Sequence, residues 1–253
     1  MNDDFTKTAL LSQIRRISGW LSSHEAFLLY ELAKNVSIHG EIVEIGSYKG
    51  KSTVALAYGL LSGKKEGSVW AIDPHKGVIA CNTTSNTNNT FHAFQKNIKE
   101  ARVEHVVRPV VATSKAAAKS WKKPIRLLFI DGLHDAYHAR EDYLLWSSWV
   151  PKGGVIAFHD GFCGEPGVWS VIQSSVFKRK DIADIGTVSS ILYIVLGKPK
   201  ALSALCVRKK KALIRCANWL YKTHAPWMVK KAVIHICIRL LLFTRYTLRV
   251  YTR

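Results

Sequence analysis

The sequence predicts an α/β fold: a doubly wound, mostly parallel sheet of seven strands with helices on both faces, followed by a basic helical extension at the C-terminal end. Two observations carry this. After Gly40, short apolar runs rich in Val, Ile and Leu alternate with longer stretches of helical period. Several of those runs end on an acid, where open α/β sheets meet their ligands.

Taken in order, HEAFLLYELAKNV (24–36) places Phe27, Leu28, Leu32 and Val36 near one helical face, so residues 1–37 form a helical lead-in. EIVEIG is the first strand and KGKSTVALAYGLL its helix; GSVWAID is the second strand, followed by a polar loop at 82–89 and the helix NNTFHAFQKNIKEA. HVVRPVVA, IRLLFID and GGVIAFHD are the next three strands, and SKAAAKSW, DAYHAREDYLLWSSWV and GVWSVIQSSVF the helices that follow them. DIADIG and SSILYIVLG close the sheet as a pair suited to an antiparallel edge. Pro199 ends a domain spanning 38–198 and opens a tail over 199–253.

With 253 residues and 48% hydrophobic content, the chain can bury a substantial core. Lys and Arg number 37 against 18 acids, and the excess is uneven: no acid follows Asp184, whereas 14 Lys and Arg fall from Lys198 onward. Five scattered cysteines without paired spacing argue against a disulfide framework and fit a reducing compartment. The opening MNDDFTKTAL lacks the order of a signal peptide. In the tail, AVIHICIRLLLF is too short to span a bilayer and is interrupted by His235 and Arg239. The expected location is cytoplasmic, with the tail peripheral on the inner face of the membrane.

At VEIGSYKGKS, Gly46 and Gly50 permit a tight turn, and the helix that follows offers free N–H groups to an anionic ligand group. The spacing is E-x-G-x-x-x-G, which lacks both the dinucleotide fingerprint and the full phosphate loop, so a nucleoside triphosphate is disfavoured. Asp73 ends the second strand, where a carboxylate can accept bonds from ribose hydroxyls. FIDGLHD and AFHDGF then set out Asp131, His134 and Asp135, and His159 and Asp160. Asp135 reads as a helix cap. Tyr137 and Trp169 suit core packing better than a substrate platform. His75 stands beside Asp73, and His92 and His138 carry no functional signal.

In their order and spacing, EIVEIGSYKGKSTVALA, VWAIDPH, FIDGLHDAYHAREDYLLWSSWVPKGGVIAFHD and GVWSVI resemble the class I S-adenosylmethionine-dependent methyltransferases. Within that class they are similar to the sugar and small-molecule O-methyltransferases related to macrocin O-methyltransferase and to cephalosporin hydroxylase-like proteins. The resemblance implies a Rossmann-like domain. It places Glu44, Gly46, Ser47, Gly50 and Ser52 around the methionine end of S-adenosylmethionine, Asp73 on the ribose, and Ala112, Thr113 and Ser114 near the adenine. Tyr48 and Lys49 are bulkier than the common pattern.

It further implies that Asp131 and Asp160 end neighbouring strands. With no Lys or Arg in either motif, such carboxylates call for a cation, and a divalent ion, magnesium or manganese, is the economical one. Its ligands would be Asp131, Asp160 and His159, the last standing where some relatives carry an acid. The implied chemistry is methyl transfer to a hydroxyl of a sugar, a glycosylated small molecule or a glycolipid, with His134 as base and Asp131 or His159 as alternatives.

Three other readings remain open. One is an RNA-directed methyltransferase recruited by the tail, although IDGLHD stands where base N-methyltransferases carry Asn/Asp-Pro-Pro-aromatic. Another is a non-catalytic membrane-binding adaptor. The third is a hydroxylase, which needs a two-histidine, one-carboxylate iron site that these motifs alone do not establish. The tail, with Trp219, Tyr221, Trp227 and Tyr246 among its cations, reads as two amphipathic helices separated at Pro226 and lying on an anionic membrane surface. Packing on the domain or on another subunit of a homo-oligomer is the alternative, and nucleic acid is disfavoured.

Overall fold

The computed structural model of the chain describes residues 5–76, 90–198 and 201–223. Two helices precede the sheet, α1 (Lys7–Arg16) and α2 (Ser23–Asn35). α1 lies outside the single leading helix predicted for 24–36. α2 begins in a reciprocal cap: the Ser22 side chain accepts the Glu25 N–H, and Glu25 accepts the Ser22 N–H.

The remaining elements are β1 (Glu41–Ile45), α3 (Lys51–Ser62), β2 (Val69–Ile72), α4 (Phe91–Glu100), β3 (Val107–Val110), α5 (Ser114–Ala118), β4 (Ile125–Ile130), α6 (Ala136–Trp146), β5 (Val155–Phe158), α7 (Pro166–Ser174), β6 (Ile182–Val188), β7 (Ile191–Leu196) and α8 (Ala201–Lys222). The polar loop expected at 82–89 lies outside the described residues.

The seven strands run in the order β3-β2-β1-β4-β5-β7-β6. β1 to β5 are parallel, and β7 is antiparallel to both β5 and β6. β3 carries Pro109, which a strand tolerates at a sheet edge where its missing N–H interrupts no second ladder. β7 (ILYIVL) is apolar on both faces because it is inserted inside the sheet. β6 buries only Ile182 and Ile185 and takes the outer edge.

One face of the sheet, through Ile42, Val69, Leu127 and Phe129, packs on α1 to α4; the other, through Val43, Ile45, Leu128 and Ile156, packs on α6 to α8. α8 docks by Val207, Ile214 and Ala217, and its buried Lys210 reaches Asp184 of β6 at 2.5 Å. The first helix of the predicted tail therefore covers the sheet edge as part of the folded domain. The second predicted tail helix, with Pro226, lies outside the described residues. No helix among the described residues is long and apolar enough to cross a membrane.

The strand order reverses between β1 and β4, which places the ligand crevice of an open α/β sheet at their carboxyl ends. The register aligns what stands there. Ile45 pairs with Ile72 and Ile130, and Ile130 with Phe158, so the next residue of each strand falls in one row: Asp73, Gly46, Asp131, His159. Backbone bonds hold the row, from Gly46 N–H to Ile72 O at 2.9 Å, Asp131 N–H to Ile45 O at 2.8 Å and His159 N–H to Ile130 O at 3.0 Å.

Candidate active site at the strand ends

The Gly46 turn is fixed by contact as well as by conformation. Gly46 has φ +86, and a Cβ there would stand 2.0 Å from the Asp131 carbonyl oxygen. Gly50 (φ +86) caps α3 without a side chain. Between them Tyr48 takes φ 45, a costly conformation for a bulky residue, and its N–H donates to Asp73 Oδ2 at 2.7 Å. Asp73 Oδ1 accepts the His75 N–H at 2.6 Å. Asp73 thus ties the turns after β1 and β2 together, and each of its oxygens keeps a lone pair for a further donor.

Glu44 is fully buried on β1. Burial pushes its carboxyl up to about 8, against the lowering effect of the Ser52 and Thr53 hydroxyls. Thr53 donates to Glu44 Oε2, while Oε1 is buried without a partner, as is the hydroxyl of Ser47. Two orphaned polar atoms beside a glycine turn and a helix N-terminus suit a zwitterionic ligand such as the methionine end of S-adenosylmethionine: Glu44 for its ammonium, the N-terminus of α3 for its carboxylate.

Ala112 follows β3, Thr113 caps α5 by accepting the Ala116 N–H, and Ser114 accepts the Trp146 indole N–H at 2.8 Å. The two hydroxyls are engaged in holding the loop. Asp142 of α6, absent from the sequence reading, stands beside them, and burial pushes its carboxyl up to about 6. His75 is buried against Phe91 and Phe94 and shares a bond with Thr90 at 2.9 Å.

Beyond Gly46 the row opens into a cluster of imidazoles and carboxylates. His134 Nε2 lies 3.4 Å from Asp131 Oδ1, and His134 Nδ1 lies 3.5 Å from Asp160 Oδ2. His159 Nδ1 faces Asp131 Oδ1 at 3.4 Å and Asp160 Oδ2 at 3.1 Å. Asp160 takes φ 52 to reach inward. A fifth member, Glu25 of α2, lies 3.8 Å from His159 Nε2. In the sequence Glu25 carries only the signal of a capping box, Ser-x-x-Glu, and nothing links α2 to β5.

The charges are interlocked. Burial alone would pull His159 down, but Asp160, Glu25 and Asp131 hold it up at about 11. His134 is raised by its bond to Asp131 against burial, and burial raises Asp131 itself. Asp160 is lowered, because the bond and charge of His159 outweigh its burial. The cluster holds protons where a cation would fit.

Asp131, His134 and His159 each direct one donor atom into a space where those atoms lie within 4.8 Å of one another. Two imidazoles and a carboxylate suit manganese or another transition ion better than magnesium. This group contains His134 where the sequence reading had Asp160. Asp135 caps α6 as expected. Trp169 is core, but Tyr137 is 66% exposed and so is not the core residue expected.

Residues 43–161 match the family described as a methyltransferase domain. Among solved structures, the chain is similar to an O-methyltransferase from Bacillus cereus in complex with SAH, at 18% identity, covering 77% of this chain and 92% of that one with a TM-score of 0.53. It is similar to the O-methyltransferase TomG from Streptomyces achromogenes, involved in tomaymycin synthesis, in complex with SAM (18% identity, 78% and 92% coverage, TM-score 0.52). A TDP-rhamnose 3′-O-methyltransferase of calicheamicin biosynthesis matches at 15% identity, with 76% and 93% coverage and a TM-score of 0.52. At such identities the likeness is one of fold. Strand order, the glycine turn at the switch point and the domain match agree: this chain carries a class I S-adenosylmethionine-dependent methyltransferase fold.

Proposed function

We propose that the protein transfers a methyl group from S-adenosylmethionine to a hydroxyl of a sugar or glycosylated small molecule, with a divalent ion at the strand ends. The observation that carries this is the row itself: the cofactor turn at Gly46 stands directly beside Asp131, and His159 is next in line. The similar protein that methylates TDP-rhamnose supports a sugar acceptor.

The cofactor supplies an electrophilic methyl group, so that the C–O bond forms as the C–S bond breaks and the hydroxyl proton must leave. Glu44, Ser47 and Ser52 with the Gly46 and Gly50 turn hold the methionine end, Asp73 the ribose, and the 112–114 loop the adenine. Asp131, His134 and His159 would hold the ion, which when bound would lower the pKa of an acceptor hydroxyl. His134 is the more open imidazole, so it takes the proton where it is free of the ion. Asp160, 3.5 Å from His134, takes it where His134 serves as a ligand. Much of the acceleration comes from aligning the oxygen with the methyl carbon.

Incubation with methyl-labelled S-adenosylmethionine and TDP-rhamnose should place label on a sugar oxygen, with the transfer lost on chelation and in Asp131→Asn. Label on nitrogen would refute the hydroxyl assignment, and transfer indifferent to chelation would refute the ion. The two-histidine, one-carboxylate group also favours a second reading, an iron-dependent hydroxylase. Oxygen consumption with ferrous iron and no methyl transfer would select it.

The tail surface supports a membrane location. α8 turns Arg208, Arg215, Trp219 and Lys222 outward on one helical stripe, a pattern suited to anionic lipid. Salt-sensitive sedimentation with phosphatidylglycerol vesicles, absent with phosphatidylcholine, is the expected result; equal behaviour with both would remove this assignment.

A further inference from the structure

We propose that Glu25 is a positioning residue of the strand-end site, the outer carboxylate that orients His159 toward the ion; this rests on the divalent-ion reading above. His159 points one ring nitrogen, Nδ1, into the cluster, while the other, Nε2, is buried without a hydrogen-bond partner and faces Glu25 Oε2 at 3.8 Å. That distance is an ion-pair contact, too long for a direct hydrogen bond. A carboxylate behind the far nitrogen of a ligating imidazole is the usual device that fixes ring orientation and tautomer.

Glu25 also fixes the neighbour of His159. Its Oε1 accepts the N–H and the hydroxyl of Ser190, in the turn between β6 and β7, at 3.0 and 2.8 Å. The same Ser190 hydroxyl accepts the Asp160 N–H at 3.3 Å. One side chain from α2 is therefore connected to both residues that end β5, of which Asp160 has φ 52.

A cap does not require this arrangement. Capping acids normally reach solvent, whereas Glu25 is 4% exposed. Among the described residues its only ion pair is with His159.

Glu25→Gln and Ser22→Ala together separate the two duties. Glutamine removes the charge and has one acceptor oxygen, so it keeps either the cap bond to Ser22 or the bonds from Ser190, which Glu25 accepts on separate oxygens. With manganese(II) alone as the probe, titrated by electron paramagnetic resonance, the affinity of Glu25→Gln should fall by about 10- to 100-fold. Its calorimetric affinity for S-adenosylmethionine should stay at the native value, and its melting temperature should fall no further than that of Ser22→Ala. Ser22→Ala, which breaks the cap and spares the charge, should lower the melting temperature and leave manganese binding unchanged. Native manganese affinity in Glu25→Gln, or an equal loss in Ser22→Ala, would overturn the proposal and leave the divalent-ion reading standing. A native protein that binds no manganese would overturn both.

Discussion

Glu44 shows how one buried side chain ties stability to the ligand. Burial pushes its carboxyl from the ordinary 4.5 to about 8, so the folded chain holds a proton there at neutral pH that the unfolded chain has released. Its contribution to stability is fully present below pH 4.5 and is lost as pH rises through 8. Asp142, raised to about 6, and His159, held at about 11, work in the same direction over their own ranges. The ligand-free protein should therefore melt at a lower temperature at about pH 8 than at about pH 6, and Glu44→Gln should reduce that difference. A native melting temperature that rises over this interval would contradict the assignment. Residues of this kind differ in how far the sequence reveals them. Asp73, Gly46, Asp131 and His159 are visible because each ends or follows an apolar strand run. Glu25 is not, because its role depends on α2 folding over the end of β5, and Asp142 is not, because nothing in the order of residues shows which face of α6 is buried.

Among the elements, alternating pattern and turn residues identify every strand and all the helices between them. α1 escapes because its ten residues, with only Leu10 and Ile14 buried, make a segment shorter than the roughly 11 to 18 residues over which a helical period is read. The docking of α8 escapes for a different reason. Its charge suggests a solvated helix, yet Lys210 is 6% exposed and is paired with Asp184. Taking away one partner of such a pair leaves the other charge buried and uncompensated. Asp184→Ala should cost about 1 to 3 kcal/mol in urea denaturation, the cost of an unsatisfied buried donor, and adding Lys210→Met should recover part of that loss. Equal stability of Asp184→Ala and the native protein would mean that α8 is not held on β6 in solution.

For the whole molecule, the parallel sheet and its switch point concentrate the site, while most of the charge surplus lies elsewhere. The strand ends gather Asp73, Glu44, Asp131 and Asp160 over a domain whose last helix carries outward-facing cations. The sequence makes the α/β class legible because each strand run is a local property. It does not show which of four side chains from two turns converge, and there the donor atoms of Asp131, His134 and His159 come within 4.8 Å of one another.

The central claim is that the crevice between β1 and β4 holds S-adenosylmethionine against Gly46 and Asp73. Calorimetric titration of the purified protein with S-adenosylmethionine, beside Asp73→Ala, tests it most directly. The account predicts one cofactor per chain for the native protein and an affinity at least about tenfold weaker for Asp73→Ala, a loss of the size expected when a charged hydrogen-bond acceptor is removed, with circular dichroism unchanged. No binding by well-folded native protein, with or without a divalent ion, would contradict it and leave a methyltransferase fold that serves as an adaptor.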